Sequence, residues 1–359
     1  MHGWGVSAGR GLTLEDAQMG AIFEAIERAS LLAQRPHDPR AVPVAPGTRT
    51  PAPGNAYWHL SAAQLAEAGA TMHECGADSD LFVDSAALPA VDLVTGARFP
   101  VPASAAFVDE DLRRGWPPVM GTSTGTAAHT RFDAATRAGL LECIERDAVA
   151  IWWYNRLPAR RMSQAAMTAA LPAPLAGWIA GRRRRTWCLL AETDLPVPAV
   201  VALSAAPDGR RPAIGAAARL DTAAAVTAAV LEMLQGEVGL AHMRAAQTGA
   251  SPPAPPPLLA WSEATDAFAA PELQGEGGAP LPSVTTWDDL LAALERRRID
   301  VAVVDLTTDE FAIPVAKVVS RTLRDWQPRF APGRLYDVPV AFGHPRLAEG
   351  DLNPVPFVI

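Results

Sequence analysis

Glu142-Cys143-Ile144-Glu145-Arg146 repeats Glu24-Ala25-Ile26-Glu27-Arg28 at a constant offset of 118 residues (142−24, 145−27, 146−28). Each copy follows a glycine-rich stretch, Gly121 to Gly125 in one case and Gly3 to Gly11 in the other. Each is expected to close a helix, with Asp133 and Thr13 as N-caps. Positions i, i+3 and i+4 share a helix face, so each copy presents two carboxylates and a guanidinium together. Beneath that face, at i−7 and i−4, stand Ala17 and Gly20 in the first copy, Ala135 and Ala138 in the second. A third helix, Asp221 to Leu240, sets Glu232 and Gln235 above Ala225 and Ala228. Small residues there predict a groove rather than a packed ridge.

A single Glu-x-x-Glu-Arg is ordinarily a solvated helix face with an i,i+4 ion pair. Duplication with matching floors and lead-ins argues for chemistry instead. Clustered, Glu24, Glu27, Glu142 and Glu145 repel one another unless a cation balances them. Carboxylate oxygens suit Mg²⁺, which commonly bridges substrate phosphates, and Arg28 and Arg146 are suited to grip phosphate oxygens as forks. The residues alone thus point to a multi-magnesium nucleotide site between helices.

Composition narrows the alternatives. The chain has 359 residues, 49% hydrophobic and 19% charged, as a soluble globular protein does. No run of 18 apolar residues is free of charges and prolines, and the start lacks a basic region followed by an apolar run. Three scattered cysteines, Cys75, Cys143 and Cys188, make no disulfide framework, so a cytoplasmic location and no membrane partner are expected. A net charge of −8 argues against nucleic acid. The basic runs Arg182 to Arg185 and Arg296 to Arg298 read as solvated surface. Lys317 is the only lysine, which excludes a P-loop.

Pro36 to Gly54 and Ser251 to Pro257 read as loops. Ala90 to Val94 and Arg98 to Val101 flank a hairpin turn. Trp187 to Leu190, Val197 to Leu203 and Ala213 to Ala217 read as strands, with Pro207-Asp208-Gly209 as a turn. Trp287 to Arg298 reads as a helix, and Val301 to Asp305 and Val315 to Val319 as buried strands. This irregular alternation favours an α/β or mixed α+β fold.

At these residues the chain resembles the YcaO family, whose signature is paired acidic helices ending in Glu-Arg. The likeness runs from Gly9-Arg10-Gly11-Leu12-Thr13 through Ser123-Thr124-Gly125-Thr126-Ala127-Ala128, Trp152-Trp153-Tyr154-Asn155-Arg156 and Leu220-Asp221. It ends in Gly333-Arg334-Leu335-Tyr336-Asp337-Val338-Pro339 and Asn353-Pro354-Val355-Pro356. The aromatic run and the tail look most like the cyclodehydratases of thiazole/oxazole-modified microcin pathways, a kind of bacteriocin biosynthesis.

The resemblance implies one YcaO-like domain over residues 1–359, binding ATP and Mg²⁺ between helices. Glu24, Glu27, Glu142 and Glu145 are then metal ligands, and these four with Arg28, Arg146, Glu232 and Gln235 bind the nucleotide. In that group a Cys, Ser or Thr side chain of a ribosomal precursor peptide attacks the preceding carbonyl. The hemiorthoamide oxygen takes the γ-phosphoryl, and phosphate leaves to give an azoline. Arg146 would assist, while Pro354 and Pro356 would position the reacting amide. Removing Asn353 to Ile359 is then expected to slow cyclisation more than it weakens ATP binding. A thioamide- or amidine-forming enzyme, or a non-catalytic scaffold holding precursor peptide, are the other readings.

The chain departs from the family pattern at Gly20, where serine is frequent, at His129, where asparagine is, and in a shortened proline tail. Motifs of the family run from almost the first residue, so no leader-binding domain is expected within the chain, and a ubiquitin-activating-enzyme-like partner protein is expected to supply it. A homodimer is among the assemblies allowed.

Other motifs lead nowhere. Gly121-Thr122-Ser123-Thr124-Gly125 matches a hydrolase elbow without the preceding strand. Gly3-Trp4-Gly5 has no strand before it to open a Rossmann turn, and His73-Glu74-Cys75 lacks the Cys-x-x-Cys of a zinc deaminase. His129 reads as a loop or core histidine, and Trp152-Trp153-Tyr154 as core.

Overall fold

A computed structural model describes residues 7–34, 38–43, 55–67, 86–108, 121–248, 254–279 and 284–357. His73-Glu74-Cys75, Gly3 to Gly5 and most of the Pro36 to Gly54 stretch lie outside these residues. The chain divides into two units, one of residues 1–146, 291–325 and 329–334, the other of 147–290, 326–328 and 335–359.

The first unit holds a six-stranded sheet built from β1 (Val42–Pro43), β2 (Ala86–Asp92), β3 (Arg98–Pro102), β4 (Thr126–Ala128), β10 (Ala302–Asp305) and β11 (Val315–Val319). Its order is β1-β2-β10-β11-β4, with β3 on the other edge of β2. All pairings are antiparallel, including the predicted hairpin, where Val91 faces Arg98. Helix α1 (Leu14–Ser30) packs on the edge strand β4. Thr13 caps it as expected, its Oγ1 accepting from Asp16 N–H at 3.1 Å. Leu88, Val101, Val304 and Val315 form the core, each wholly buried.

Helix α2 (Phe132–Tyr154) belongs to the first unit through Arg146 and to the second from Asp147. Two expectations fail here. Asp133 sits inside the first turn, paired to Arg131, rather than at the cap. The second Glu-x-x-Glu-Arg lies mid-helix rather than at its end. Ala148 to Trp152, all buried, carry the helix on, because packing of an apolar run outweighs any local stop.

The second unit holds β5 (Arg160–Met162), β6 (Arg185–Ala191), β7 (Ala199–Ala205), β8 (Ala213–Ala218) and β9 (Glu276–Ala279) in the order β8-β7-β6-β5-β9. Only the β5–β9 pair is parallel. β6, β7 and β8 are buried along almost their whole length, which explains their unbroken apolar runs. Helix α3 (Thr222–Ala246) runs past the expected Leu240 and lies along β7 and β8, capped by Asp221, whose carboxylate accepts from Ala224 N–H at 2.8 Å. By length and composition it is the one candidate membrane span among the described residues. Its Ala225, Val226, Ala229, Val230 and Met233 are fully buried in the second unit's core, where they serve as packing. The first arginine run is less solvated than expected: Arg182 and Arg184 both pair with Glu237.

Candidate functional site

Among the described residues, a glycine-bearing segment meets a long helix three times. Each time the first acidic residue of the motif holds a main-chain amide of that segment. Ala8 N–H donates to Glu24 Oε2 at 2.8 Å, and Gly125 N–H to Glu142 Oε2 at 3.0 Å. In the second unit Ala216 N–H donates to Glu232 Oε2 at 2.9 Å.

The approach is close enough to need glycine. A Cβ on Gly9 would lie 1.6 Å from Ala17 O and 2.5 Å from Ala21 N. One on Gly215 would lie 2.2 Å from Met233 N and 2.5 Å from Ala229 O. In the second copy a Cβ on Gly139 would meet Gly125 O at 2.4 Å. The small-residue floor is therefore filled by the lead-in's own backbone instead of standing as an open groove. In the first copy the expected floor is met, since Ala17 O and Gly20 both lie against the lead-in, but the contact common to all three is at i−3, at Ala21, Gly139 and Ala229. Ala135 and Ala225 are fully buried, while Ala138 is exposed and Ala228 half-buried. The aligned small residues at i−3 were a signal the sequence contained.

The first unit brings Glu24, Glu27, Glu142 and Glu145 onto two helices with their arginines. Glu27 Oε1 accepts from Ala128 N–H on β4 at 2.7 Å. Arg28 pairs with Glu24 at 2.5 Å and is about half exposed. Arg146 binds Glu142 at 2.8 Å and Glu145 at 2.6 Å, and Glu145 is 6% exposed. Both arginines thus stand as ion pairs within the nest rather than as open forks. Burial above all, with the charges of Glu142 and Glu24 added, raises the Glu27 carboxyl to about 8, against the lowering effects of its Ala128 bond and of Arg28.

These carboxylates could supply one or two ligands to a magnesium ion held otherwise by nucleotide phosphates and water. Among the described residues no three acidic, His or Cys side chains converge tightly enough to cage a metal alone. Mg²⁺ is commonly held by one or two carboxylates, with phosphates and water completing its octahedron. Such a cation would relieve the crowding that Glu27 registers.

Glu232 and Gln235 lie one turn apart on α3, both half-buried. The tail is anchored in the second unit. Asn353 N–H donates to Tyr154 O at 2.8 Å, and Trp153 Nε1–H donates to Val355 O at 2.7 Å. Phe357 meets Trp152, Trp153 and Trp326 at ring-centroid distances of 6.2, 5.3 and 5.3 Å. Pro354 and Pro356 are exposed between buried Asn353 and buried Phe357. The aromatic run is core, as expected, and is also the floor on which the tail docks. His129 is exposed just past β4, stacked near Phe23. The Ser123 turn precedes a strand, the reverse of a hydrolase elbow.

Comparison with known proteins follows the same lines. No curated relative matches by sequence. A heterocyclase solved in complex with substrate and cofactor is 23% identical, with a TM-score of 0.79 over 97% of this chain and 49% of that one. YcaO from Methanopyrus kandleri, bound with AMPPCP and Mg²⁺, is 20% identical with a TM-score of 0.59, covering 89% of this chain and 78% of that one. The E. coli microcin synthetase McbBCD complex with pro-MccB17 is 17% identical with a TM-score of 0.59, covering 88% and 81%. These likenesses show a shared fold, and the chain spans about half the length of the first of them. The family model described as YcaO cyclodehydratase, ATP- and Mg²⁺-binding, matches residues 8–324, which takes in all three glutamate-bearing helices. The chain belongs to the YcaO cyclodehydratase family, an enzyme family that binds ATP and Mg²⁺.

Proposed function

We propose that this chain is an ATP- and Mg²⁺-dependent cyclodehydratase that phosphorylates backbone amides of a ribosomal precursor peptide and forms azolines at Cys, Ser or Thr. The observation that carries the reading is geometric: main-chain amides of Ala8, Gly125 and Ala128 tether Glu24, Glu142 and Glu27 on two helices of the first unit. Burial first, and the charges of Glu142 and Glu24 after it, raise the Glu27 carboxyl to about 8. Glu24, Glu27, Glu142 and Glu145 would hold Mg²⁺, with Glu232 and Gln235 completing the nucleotide contacts. When bound, the magnesium nucleotide supplies a phosphoryl group that makes the amide oxygen a leaving group.

The chain's own part is positioning and charge. Ala8, Gly125 and Ala128 amides fix three of the carboxylates before any ligand arrives, so little reorganisation remains. Exchange of its carboxylate partners for phosphate oxygens would release Arg146 to steady charge on the transferring group. Pro354 and Pro356 are exposed on an anchored tail, a preorganised edge against which a peptide amide is held. We read residues 1–359 as one functional YcaO-like domain working in the cytoplasm, alone or as a homodimer, with a ubiquitin-activating-enzyme-like protein delivering the leader. Support for a peptide substrate is by analogy: the neighbours include a heterocyclase in complex with substrate and a synthetase with pro-MccB17 bound.

One observation favours a second reading, a silent scaffold for precursor peptide: the Glu24–Arg28 and Glu142–Arg146–Glu145 pairs already offset part of the nest's charge without a metal. The experiment supplies precursor peptide and leader-binding protein and measures ATP hydrolysis with the mass of the product. Wild type is expected to hydrolyse ATP only with peptide present and to remove water from it. Glu142→Gln and Glu145→Gln, folded by circular dichroism, are expected to abolish both. Turnover persisting in either variant removes the metal-nest assignment. Peptide binding without turnover in wild type establishes the scaffold, and a sulfur-for-oxygen or amidine mass change establishes one of the variant products.

A further inference from the structure

The only lysine among 31 basic residues lies on β11, 3% exposed. Wherever else this chain needs a cation it uses arginine, so Lys317 answers a need that a guanidinium does not meet. Its Nζ donates to Thr122 O at 2.6 Å and Thr124 O at 2.7 Å. The next residue, Val318, donates its amide to Gly125 O at 2.7 Å. Side chain and backbone of one strand thus grip three carbonyls of the turn between residues 122 and 125.

That turn is built for the grip. Gly125 has φ +81°, and a Cβ there would lie 2.3 Å from Val318 O and 2.7 Å from Cys143 Sγ. The Gly125 amide, on the far side of the same peptide unit as Thr124 O, holds Glu142 Oε2. Thr124 O and Gly125 N–H belong to one planar group, so fixing the carbonyl fixes the direction of the amide. A compact ammonium with three rotatable donors can meet two converging carbonyls, where a planar fork is larger and differently directed. Burial penalises the ammonium, whose pKa falls to about 8 although the charges of Glu142 and Asp325 act against the fall; among the described residues no carboxylate lies within ion-pair distance of it. A charge kept there at such a cost, when methionine would fill similar space, needs a use.

We infer that Lys317 is a positioning residue for the nucleotide–magnesium site, orienting the Gly125 amide and through it the Glu142 carboxylate. The inference rests on the nest reading for its consequence in magnesium affinity, but not for the grip itself.

The test uses Lys317→Met in the full chain, with two readouts. Hydrogen exchange at the Gly125 amide, without ligand, is expected to quicken at least about tenfold while β10 amides keep their protection. Titration of Mg²⁺ in the presence of a non-hydrolysable ATP analogue is expected to weaken about tenfold, with binding of the analogue alone unchanged. Lys317→Arg, which keeps charge but not shape, is expected to fall between the two and carries the comparison if the methionine variant does not fold. Unchanged Gly125 exchange in a folded variant overturns the grip. Faster exchange with unaltered Mg²⁺ affinity overturns the positioning role. A wild type that binds no magnesium nucleotide overturns the proposed function instead, and Gly125 exchange still judges the grip.

Discussion

At the residue scale the sharpest consequence belongs to Glu27. Its carboxyl is raised from 4.5 to about 8, so folding favours the protonated form between those values. The stability this lends is full below about pH 4.5 and is lost as pH rises through about 8. A cation bound there must displace the proton. We therefore expect binding of Mg²⁺ with a nucleotide analogue at pH 7 to release about one proton, and release to vanish near pH 9.5. Calorimetry in buffers of different ionisation enthalpy reads this directly, and buffer-independent heats at pH 7 would sink it. The four carboxylates were legible because i, i+3 spacing is a local property. Their tethers were not, since Glu27 finds its amide on Ala128, 101 residues away. Lys317 spoke in the sequence only by the P-loop it ruled out; its carbonyl partners lie some 195 residues off.

At the scale of elements, the unit repeated is a lead-in segment locked onto a helix. Thr13 announced its helix by cap chemistry, while the cap at Asp221 shows only in the fold, and the three acidic helices were readable from their spacing. The end of α2 was not, because burial of Ala148 to Trp152 decides it and burial is a property of the fold. The small residues Ala21, Gly139 and Ala229 were aligned in the sequence, but which backbone lies on them was not legible, because the lead-in reaches them only in the fold. Gly139→Ala should therefore oppose the usual helix preference and destabilise by about 1–3 kcal/mol, because its Cβ would press on Gly125 O. Gly177→Ala, in the helix Ala173–Gly181 with open space around its Cβ, should stabilise by about 0.5–1 kcal/mol. Urea midpoints of the two variants test the pair. A neutral or stabilising Gly139→Ala would mean that the lead-in is not locked on the helix as described.

For the molecule as a whole, the proposed reaction divides into holding a nucleotide and orienting an amide, and the tail tests that division. Deleting Asn353 to Ile359 is a blunt instrument. It removes Phe357, buried among Trp152, Trp153 and Trp326, and loss of such a ring costs about 3–5 kcal/mol. A deletion phenotype would therefore mix lost packing with lost positioning. Pro354 and Pro356 separate the two, being exposed while Asn353 and Phe357 keep the segment docked. Each proline restricts φ, so the tail between its anchors has little entropy left to lose on meeting substrate. Replacing both by alanine returns that freedom at two exposed positions. Misplacement by about an ångström can cost roughly a hundredfold in rate, so a partial loosening should slow azoline formation by about tenfold. Nucleotide affinity should stay where it was, because the carboxylate helices are untouched, and stability should fall only by the freedom the unfolded chain regains, about 0.4–1 kcal/mol per proline. Product mass against time, run beside nucleotide titration of the double variant, gives the answer. Cyclisation at the wild-type rate would make the tail packing alone, and take from the azoline-forming reading the part of its support that lies in Pro354 and Pro356.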